Sequence, residues 1–315
     1  MADLFDVTCK PVDGSLSADA IVEAAQGMDV LVSSINDPLD AGLIGRLPRS
    51  IKLIAQFGNG FDNIDIDAAY AAGLTVTNTP SVLTEDTADM AVMLMLALPR
   101  RLVEGAGVLP RDGRWEGWSP TWMLGRRLRG KSLGIVGMGR IGTAVAARAR
   151  TFGLAIHYWS RSRRPPQLEE KLEATFHDSL DAMLGVVDIV SLHTPLTRDT
   201  HRILGRDRIG LMKEGAYVVN VSRSELVDEA ALVDAIQSGH LSGAALDVFD
   251  NGDAGIDPGL LELARAHRIV LTAHMASATL EARLEMGDTV IVNIRAFADG
   301  HQPPHRVLPE GRHGG

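Results

Sequence analysis

The stretch G-I-V-G-M-G-R-I-G, from Gly134 to Gly142, decides the fold. An apolar run that reads as a strand leads into it, and the alanine-rich run T-A-V-A-A-R-A-R follows with helical character. Gly137, Gly139 and Gly142 form the pattern G-x-G-x-x-G. In that pattern the first glycine permits a tight turn, the second lets the backbone approach a pyrophosphate, and the third packs helix against strand. The stretch therefore predicts a dinucleotide-binding unit, with an ordinary strand–turn–helix as the alternative.

Short apolar runs alternate with helical patterns along most of the chain. The runs that predict strands are residues 30–32, 52–56, 74–78, 132–136, 155–159, 187–192, 216–221, 243–247 and 268–272. The segments that predict helices include residues 20–25, 66–72, 85–102 and 278–299. Alternation on this scale predicts an α/β fold, with parallel sheets that carry helices on both faces. A connection rich in glycine, proline and tryptophan at residues 107–125 predicts the boundary between two domains.

Composition narrows the classes of function. The net charge of −9 argues against a general role on nucleic acid or on a membrane surface. No apolar run reaches the roughly 18 residues of a membrane span. The first residues, M-A-D-L-F-D, lack the features of a signal peptide, so we expect a cytoplasmic protein. The single cysteine, Cys9, excludes an intrachain disulfide and fits a reducing compartment.

Polar residues follow several of the predicted strands of the second series. They are His193, Thr194 and Pro195 after one strand, Ser222 and Arg223 after the next, then Asp247 and His274. In an open parallel sheet, ligands bind outside the carboxyl ends of the strands. A histidine can give a proton to a developing alkoxide, and an arginine can bind a carboxylate through two hydrogen bonds. Each residue alone also has a structural interpretation; Arg223, for example, could pair with Glu225 or Asp228.

Seven motifs in order resemble the D-isomer-specific 2-hydroxyacid dehydrogenase family, and within it the glyoxylate/hydroxypyruvate reductase branch. They are G-N-G-F-D-N-I-D (58–65), L-T-E-D-T-A-D (83–89), V-G-M-G-R-I-G (136–142), H-T-P-L-T (193–197), N-V-S-R-S-E-L-V-D-E (220–229), A-A-L-D-V-F (244–249) and A-H-M-A-S-A-T (273–279). The resemblance covers nearly the whole chain.

The resemblance implies two doubly wound parallel-sheet domains. A Rossmann cofactor domain would span residues 102–285, and a discontinuous flavodoxin-like substrate domain would combine residues 1–101 and 286–315. The substrate domain would lack its first βα unit, because the family has a strand and a helix before the segment that L-F-D-V-T matches.

The resemblance also implies roles for individual residues. Arg223 would bind the substrate carboxylate and carbonyl, and His274 would be the acid/base. The backbone at Asn59 and Gly60 would hold the substrate carboxylate. The residues implied at the cofactor are Gly137, Gly139, Arg140, Ile141, Gly142, Ser160, Arg161, Thr194, Pro195, Val221, Ser222, Asp247 and Ala276. No metal is expected.

Two departures from the family pattern concern catalysis. Gly252 stands where the family has the acid that supports the catalytic histidine, and Ser224 stands where it usually has glycine. If the loop is shifted by one residue, Asp253 takes the position of the family's acid. We therefore predict that Asp253 is the carboxylate beside His274. Asp250 is the competing candidate.

A third departure concerns the cofactor. In the run Y-W-S-R-S-R-R-P-P (158–166), Ser160 takes the place of the acid that normally binds the ribose. Serine removes the repulsion of a 2′-phosphate, and Arg161 can pair with one. We therefore expect NADP(H) to be preferred, with NAD(H) as a second cofactor. Arg163 and Arg164 would either strengthen the positive field or form a solvated surface run.

These observations predict a reductase that transfers hydride to small 2-keto acids of the glyoxylate/hydroxypyruvate type and forms D-2-hydroxy acids. The alternative is a dinucleotide-binding regulator on the same scaffold with little or no turnover. The family pairs through its cofactor domains, and three tryptophans in residues 115–125 are typical of an interface. A homodimer is therefore expected, with no nucleic-acid or membrane partner.

Overall fold

A computed structural model describes residues 1–9, 16–115, 117–252 and 255–309 of the chain. The strands are β1 (Val30–Ser34), β2 (Leu53–Phe57), β3 (Thr75–Thr77), β4 (Ser132–Val136), β5 (Ala155–Trp159), β6 (Ala174–Phe176), β7 (Ile189–Leu192), β8 (Ala216–Asn220), β9 (Leu241–Leu246), β10 (Ile269–Leu271) and β11 (Arg306–Val307).

The helices alternate with these strands. They are α1 (Ala18–Ala24), α2 (Ala41–Ile44), α3 (Ile66–Ala71), α4 (Thr84–Ala97), α5 (Leu102–Asp112), α6 (Arg140–Thr151), α7 (Pro166–Leu172), α8 (Leu180–Leu184), α9 (Arg206–Leu211), α10 (Glu229–Gln237), α11 (Pro258–Arg265) and α12 (Leu280–Ala298). A 3₁₀ turn spans Ser224–Leu226.

The chain divides into two compact units: Met1–Leu83 with Thr279–Gly315, and Thr84–Ala278. We call them the first and the second unit. The resemblance implies that α4 is part of the substrate domain, whereas in the structure α4 belongs to the second unit. The reason is that its apolar residues are buried in one core with residues of β4 and α6.

The first unit contains a four-stranded sheet in the order β1-β2-β3-β11. β1, β2 and β3 are parallel, and β11 pairs antiparallel with β3. Side chains alternate along β2: Leu53 and Ala55 pack with Val290 of α12, whereas Ile54 packs in a separate core that includes Ile21 of α1. Because both faces of β2 are buried, its sequence is apolar at successive positions.

The second unit contains a seven-stranded parallel sheet in the order β10-β9-β8-β7-β4-β5-β6. Ile135 of β4 packs in the core on one face, and Val136 packs in the core on the other. The chain runs from β4 to β5 on one side and returns to β7 on the other side of β4. This reversal is the switch point at which open α/β sheets bind ligands. The predicted α/β fold class with doubly wound parallel sheets is confirmed.

The structure corrects the prediction at one segment. The first part of the expected connection at residues 107–125 is helical, because α5 extends to Asp112. α4 and α5 are separated at Arg101, whose φ of 54° is left-handed. Pro110 lies in the last turn of α5, where the α-helical pattern was hardest to recognise from sequence.

Within the described residues, no helix is both long enough and apolar enough to cross a membrane.

Candidate active site

The glycine loop joins β4 to α6, and each of its three glycines meets a different requirement. Gly137 has a φ of +98°, and a Cβ there would come within 2.8 Å of the carbonyl oxygen of His193. A Cβ at Gly142 would collide with the carbonyl oxygen of Gly137. A Cβ at Gly139 would meet nothing within 4 Å. Two glycines therefore close the turn, and the third leaves open space at the start of the helix.

The amino end of α6 is free to bind an anion. Several helices begin at a residue whose side chain accepts a backbone hydrogen bond; Asp228, for example, accepts from the N–H of Ala231 ahead of α10. The N-cap residue of α6 is Gly139, which offers no side chain for this purpose. The first N–H groups of a helix lack partners inside the helix, so those at Arg140 and Ile141 are available to a phosphate. The loop thus fits the pyrophosphate of a dinucleotide.

Two residues that follow β5, Ser160 and Arg164, hold the glycine loop. Met138 donates its N–H to Oγ of Ser160 at 2.8 Å. The Nε of Arg164 donates to the carbonyl oxygen of Met138 at 2.6 Å. Both backbone groups of Met138 are therefore bound, and the segment after β5 is fixed beside the loop.

The arginines that follow β5 make different contacts. Arg163 pairs with Glu169, with NH2 at 2.8 Å from Oε2, and lies over the ring of Phe176. The ion pair with Arg163 lowers the pKa of the Glu169 carboxyl. Arg161 is exposed and forms no ion pair with any residue in the described part of the chain. Arg163 is therefore engaged by Glu169 and Phe176, whereas Arg161 is available to a ligand.

The loop that carries His274 is organised by a buried carboxylate. Asp247, only 1% exposed, accepts hydrogen bonds from Oγ1 of Thr272 at 2.6 Å and from the N–H groups of Met275 and Ala276 at 2.9 and 2.8 Å. The N–H of His274 donates to the Asp247 carbonyl oxygen at 2.9 Å. His274 itself has a φ of +50°, which costs a non-glycine residue energy. Asp247 thus stabilises the strained backbone that presents an exposed His274.

Arg223 follows β8 in a segment held by short-range hydrogen bonds. Nδ2 of Asn220 donates to the Arg223 carbonyl oxygen at 2.8 Å, and Oγ of Ser222 donates to the carbonyl oxygen of Thr194 at 2.7 Å. NH1 of Arg223 donates to the Ser222 carbonyl oxygen at 2.8 Å. Arg223 is half-buried. These contacts place Arg223 at the carboxyl edge of the sheet, beyond β8.

A second histidine at this edge is held neutral. Burial lowers the pKa of His193 to about 3, so its imidazole carries no charge at neutral pH. Nε2 of His193 lies 2.8 Å from Oγ of Ser191, and Nδ1 is buried without a hydrogen-bond partner among the described residues. Because a neutral imidazole is a poor proton donor near pH 7, His193 is unsuited to be the general acid. The other histidine at this edge, His274, is exposed.

In the first unit, Asn59 and Gly60 lie in the loop that follows β2. Nδ2 of Asn78 donates to the carbonyl oxygen of Asn59 at 2.8 Å. Nε2 of Gln56 donates to the carbonyl oxygen of Gly60 at 3.2 Å. The loop is thus anchored through its carbonyl groups.

Comparison with known proteins identifies the family. The model of the D-isomer specific 2-hydroxyacid dehydrogenase NAD binding domain matches residues 92–276. A glyoxylate reductase of Thermococcus litoralis is 43% identical over 291 residues, which cover 91% of this chain and 86% of the relative. The chain belongs to the D-isomer specific 2-hydroxyacid dehydrogenase family. The resemblance inferred from the motifs is thereby confirmed, and the protein is an oxidoreductase whose cofactor is a nicotinamide dinucleotide.

Solved structures of similar proteins have the same two-domain fold. The TT0316 protein of Thermus thermophilus has a TM-score of 0.85 and 42% identity, and the match covers 93% of this chain and 90% of that one. An NADPH-dependent glyoxylate/hydroxypyruvate reductase of Sinorhizobium meliloti, solved with NADP and malonate, has a TM-score of 0.82 and 34% identity. That match covers 95% of this chain and 90% of the other. None of these comparisons supports the alternative of a dinucleotide-binding regulator.

The structure places most of the predicted cofactor residues of this dehydrogenase at one sheet edge. The glycine loop, Ser160, Arg161, Thr194, Pro195, Val221, Ser222 and Asp247 all lie at or just after the carboxyl ends of β4, β5, β7, β8 and β9, and Ala276 lies in the His274 loop. Asn59 and Gly60 belong to the first unit. The binding roles of these residues stay predictions.

The predicted acid Asp253 lies outside the described residues. Its competitor Asp250 is placed: its Oδ1 accepts from the N–H of Gly252 at 3.0 Å, and its own N–H donates to Oε1 of Glu229 at 2.8 Å. Burial raises the pKa of Glu229. Asp250 is therefore engaged within its own loop.

The sequence did not reveal the residues that fix the backbone of the site loops through hydrogen bonds. The sequence did not predict the hydrogen bond from Arg164 to the carbonyl oxygen of Met138. It also did not predict the hydrogen bonds that Asp247 accepts from the His274 loop. Each joins groups that are far apart in sequence, and at least one partner is a backbone atom. The one indication in the sequence was the position of Asp247 directly after β9. That position did not show whether Asp247 contacts a ligand or other residues of the protein.

Proposed function

We propose that the enzyme reduces small 2-keto acids of the glyoxylate/hydroxypyruvate type to D-2-hydroxy acids and prefers NADP(H). The observation that carries the proposal is the arrangement at the carboxyl edge of the second unit's sheet. There an open glycine loop that fits a dinucleotide lies on the same edge as Arg223 and a histidine held by Asp247. Relatives with 37% to 43% identity that are named glyoxylate reductase support the substrate class.

The nicotinamide, when bound, supplies the hydride that reaches the carbonyl carbon. The protein then has two tasks. Arg223 binds the carboxylate and polarises the carbonyl through a charge-assisted hydrogen bond. His274 gives a proton to the oxygen as the alkoxide forms, and takes it back in the reverse reaction. The N–H groups of Asn59 and Gly60 bind the substrate carboxylate.

The cofactor preference rests on the contacts of Ser160. Its Oγ accepts from the N–H of Met138, so the hydroxyl hydrogen is free to donate to a 2′-phosphate. Arg161 is exposed at the next position and can pair with the phosphate charge. A carboxylate at position 160 would repel that phosphate. NAD(H) remains usable, because the glycine loop binds the part that both cofactors share.

Asp253 is proposed as the acid that supports His274. A carboxylate that accepts from the second ring nitrogen raises the pKa of an imidazole and keeps the imidazolium available. Asp253→Asn should then lower kcat and shift the pH–rate profile downward, since a less supported imidazolium loses its proton sooner. Unchanged kinetics in that variant would show that His274 works without this acid.

A homodimer is proposed on the basis of the exposed apolar arm, which consists of residues 102–115 and 117–124 of the second unit. Large apolar side chains are exposed along it: Leu102, Val103, Leu109, Trp115, Trp118, Trp122 and Leu124. Trp118 is 77% exposed, and Trp115 packs beside Trp122 with ring centroids 6.2 Å apart. Several large exposed apolar side chains within one segment are typical of protein–protein interfaces.

The direct test is an assay of cofactor oxidation with glyoxylate, hydroxypyruvate and bulkier 2-keto acids. NADPH and NADH are each supplied at several concentrations. We expect keto-acid-dependent oxidation with a higher kcat/KM for NADPH than for NADH. Equal or better kcat/KM with NADH would refute the cofactor preference, and no oxidation with any keto acid would refute the reductase.

A further inference from the structure

Three successive carbonyl groups of the loop after β2 are held by other parts of the first unit. The N–H of Thr79 donates to the carbonyl oxygen of Gly58 at 3.0 Å. Nδ2 of Asn78 donates to that of Asn59 at 2.8 Å. The carbonyl oxygen of the next residue, Gly60, also accepts a hydrogen bond. The segment after β3 therefore holds the first two of these carbonyl groups.

The third carbonyl is held by Gln56, which is fully buried in β2. Its Nε2 donates to the carbonyl oxygen of Gly60 at 3.2 Å and to Oδ1 of Asn63 at 2.8 Å. Its Oε1 accepts from Oγ of Ser33 at 2.7 Å. All of the polar atoms of this buried amide are thus engaged.

The amide of Gln56 has one consistent orientation. Nδ2 of Asn63 donates to the carbonyl oxygens of Ser34 and Asp37, at 3.0 and 2.9 Å. The Oδ1 of Asn63 must therefore face Gln56, and it can accept only from the NH₂ group of that side chain. The hydrogen-bond network, rather than the shape of the amide, fixes Nε2 toward the loop.

Fixing the carbonyls also fixes the direction of the N–H groups. In a planar trans peptide the C=O and the following N–H point to opposite sides. The N–H groups of Asn59, Gly60 and Phe61 therefore point away from the residues that bind the three carbonyls. None of these three N–H groups donates a hydrogen bond within the described part of the chain. Successive N–H groups that are left unpaired in a turn can bind an anion.

We propose that Asn78 and Gln56 are positioning residues, which aim the N–H groups of Asn59 to Phe61 at the substrate carboxylate. The inference rests on the proposed function, in which this loop binds a 2-keto acid. Neither side chain touches the substrate; each acts through the peptide whose carbonyl it holds. Asn78 is in turn held from the C-terminal part of the unit, because Nδ2 of Asn293 donates to the Asn78 carbonyl oxygen at 3.2 Å.

The lead variant is Asn78→Asp, because Asn78 is 8% exposed whereas Gln56 is fully buried. Aspartate keeps the shape of asparagine but offers no N–H to the Asn59 carbonyl, and its charge repels a nearby carboxylate. Asn78→Ala removes the donor without adding a charge and serves as the second variant. We expect KM for glyoxylate to rise about 10- to 100-fold, as for a lost hydrogen bond to a charged group. KM for NADPH should stay within about twofold.

Thr77→Val is the matched control. Thr77 precedes Asn78, is 1% exposed, and its Oγ1 has no hydrogen-bond partner among the described residues. Valine has the same shape, so this variant changes a buried residue of the same segment and removes no hydrogen bond. It should keep the wild-type KM values for both substrates.

A binding experiment separates this inference from the proposed function. Oxamate, an unreactive 2-keto acid analogue, is titrated calorimetrically into wild type and each variant with NADPH present. Its Kd should rise in both Asn78 variants by the same factor as KM. Wild-type enzyme that fails to reduce any keto acid or to bind oxamate would refute the proposed function and this inference with it. Unchanged oxamate binding in folded Asn78 variants of an active enzyme would refute the inference alone. It is also overturned if KM for NADPH and the melting temperature change together with KM for glyoxylate.

Discussion

At the scale of single residues, the proposed cofactor preference depends on whether position 160 carries a charge. Oγ of Ser160 already accepts from the glycine loop, and an aspartate oxygen can accept the same N–H of Met138. A substitution there changes the charge beside the ribose without removing the contact that holds the loop. The proposed role of this side chain in specificity can therefore be tested without disturbing the loop.

Ser160→Asp should move the preference from NADPH toward NADH. The reason is that the carboxylate repels the 2′-phosphate and accepts from a free 2′-hydroxyl. We expect the ratio of kcat/KM for NADPH to that for NADH to fall about 10- to 100-fold, equivalent to one or two steps of about 1.4 kcal/mol. Steady-state kinetics with both cofactors measure the ratio.

Ser162→Asp is the control for this experiment, because it adds the same charge to an exposed residue two positions away. It should change the ratio far less. An equal loss in both variants would mean that the general field, rather than a contact at position 160, governs the choice.

The residues proposed to carry out the chemistry could be named from the sequence, because motifs specify residue types at fixed spacing. Arg223 and His274 lie beyond the ends of β8 and β10, as the strand pattern predicted. The positive φ of His274 and the hydrogen bonds that Asp247 accepts from the loop could not be predicted, since they depend on how the loop closes in space. The arginine run illustrates the same limit: Arg161 and Arg163 are alike in sequence but differ in their partners.

At the scale of elements, two glycines of the β4–α6 turn, Gly139 and Gly142, should respond differently to substitution by alanine. Gly139→Ala places a methyl in open space where the pyrophosphate is expected, so the melting temperature of the free protein should stay unchanged while the Kd for NADPH rises. Gly142→Ala presses a methyl against the carbonyl oxygen of Gly137, and such overpacking costs about 1–3 kcal/mol. This variant should lose both stability and cofactor binding.

Thermal melting and fluorescence titration with NADPH check the pair. Wild-type affinity in a stable Gly139→Ala protein would contradict the placement of the pyrophosphate at this turn.

A carboxylate at the opposite edge of the second sheet predicts acid sensitivity. Burial opposes ionisation of Asp188, but hydrogen bonds from Lys213 and Ser132 outweigh it and lower its pKa to about 2. A pKa that is lower in the folded state stabilises the fold at pH values above the unfolded pKa of about 4. That stabilisation is lost as the pH falls from about 4 toward 2.

Asp188→Asn should therefore destabilise the second unit at pH 7 by about 1–3 kcal/mol, as expected for hydrogen bonds to a charged group. The difference in melting temperature from wild type should narrow at pH 3. Asp234→Asn removes an exposed partner of Arg206 and should change stability by less than about 1 kcal/mol. A pH-independent difference for Asp188→Asn would contradict the ionic origin of the effect.

Most elements of the fold followed from hydrophobic pattern, and the exceptions have physical causes. The strands β4 and β5 begin and end at the predicted residues, because both are apolar runs bounded by turn or polar residues. The strands β6 and β11 were missed, since two or three residues are too few to show a period. α5 was missed because glycine and proline occur within it, and both disfavour a helix.

At the scale of the whole molecule, the exposed apolar arm predicts self-association. Trp118→Ser removes its most exposed large side chain. Because a few central aromatic residues supply most of the binding energy of an interface, this variant should weaken the dimer by about 2 kcal/mol or more. Light scattering over a concentration series measures the mass. Phe152→Ser changes an exposed aromatic residue outside the arm and should leave the mass unchanged. A wild-type monomer at micromolar concentration would refute the dimer.

The central claim is that the second unit binds NADPH and that His274 turns this binding into reduction of a 2-keto acid. Its most direct test measures NADPH binding and hydroxypyruvate-dependent NADPH oxidation in parallel for wild type and His274→Gln. We predict turnover in wild type, a fall in kcat of about 10²- to 10⁴-fold in the variant, as expected for loss of a general acid, and the same Kd for NADPH in both. Wild-type protein that binds NADPH but does not oxidise it with any 2-keto acid, or a variant as active as wild type, would contradict the claim.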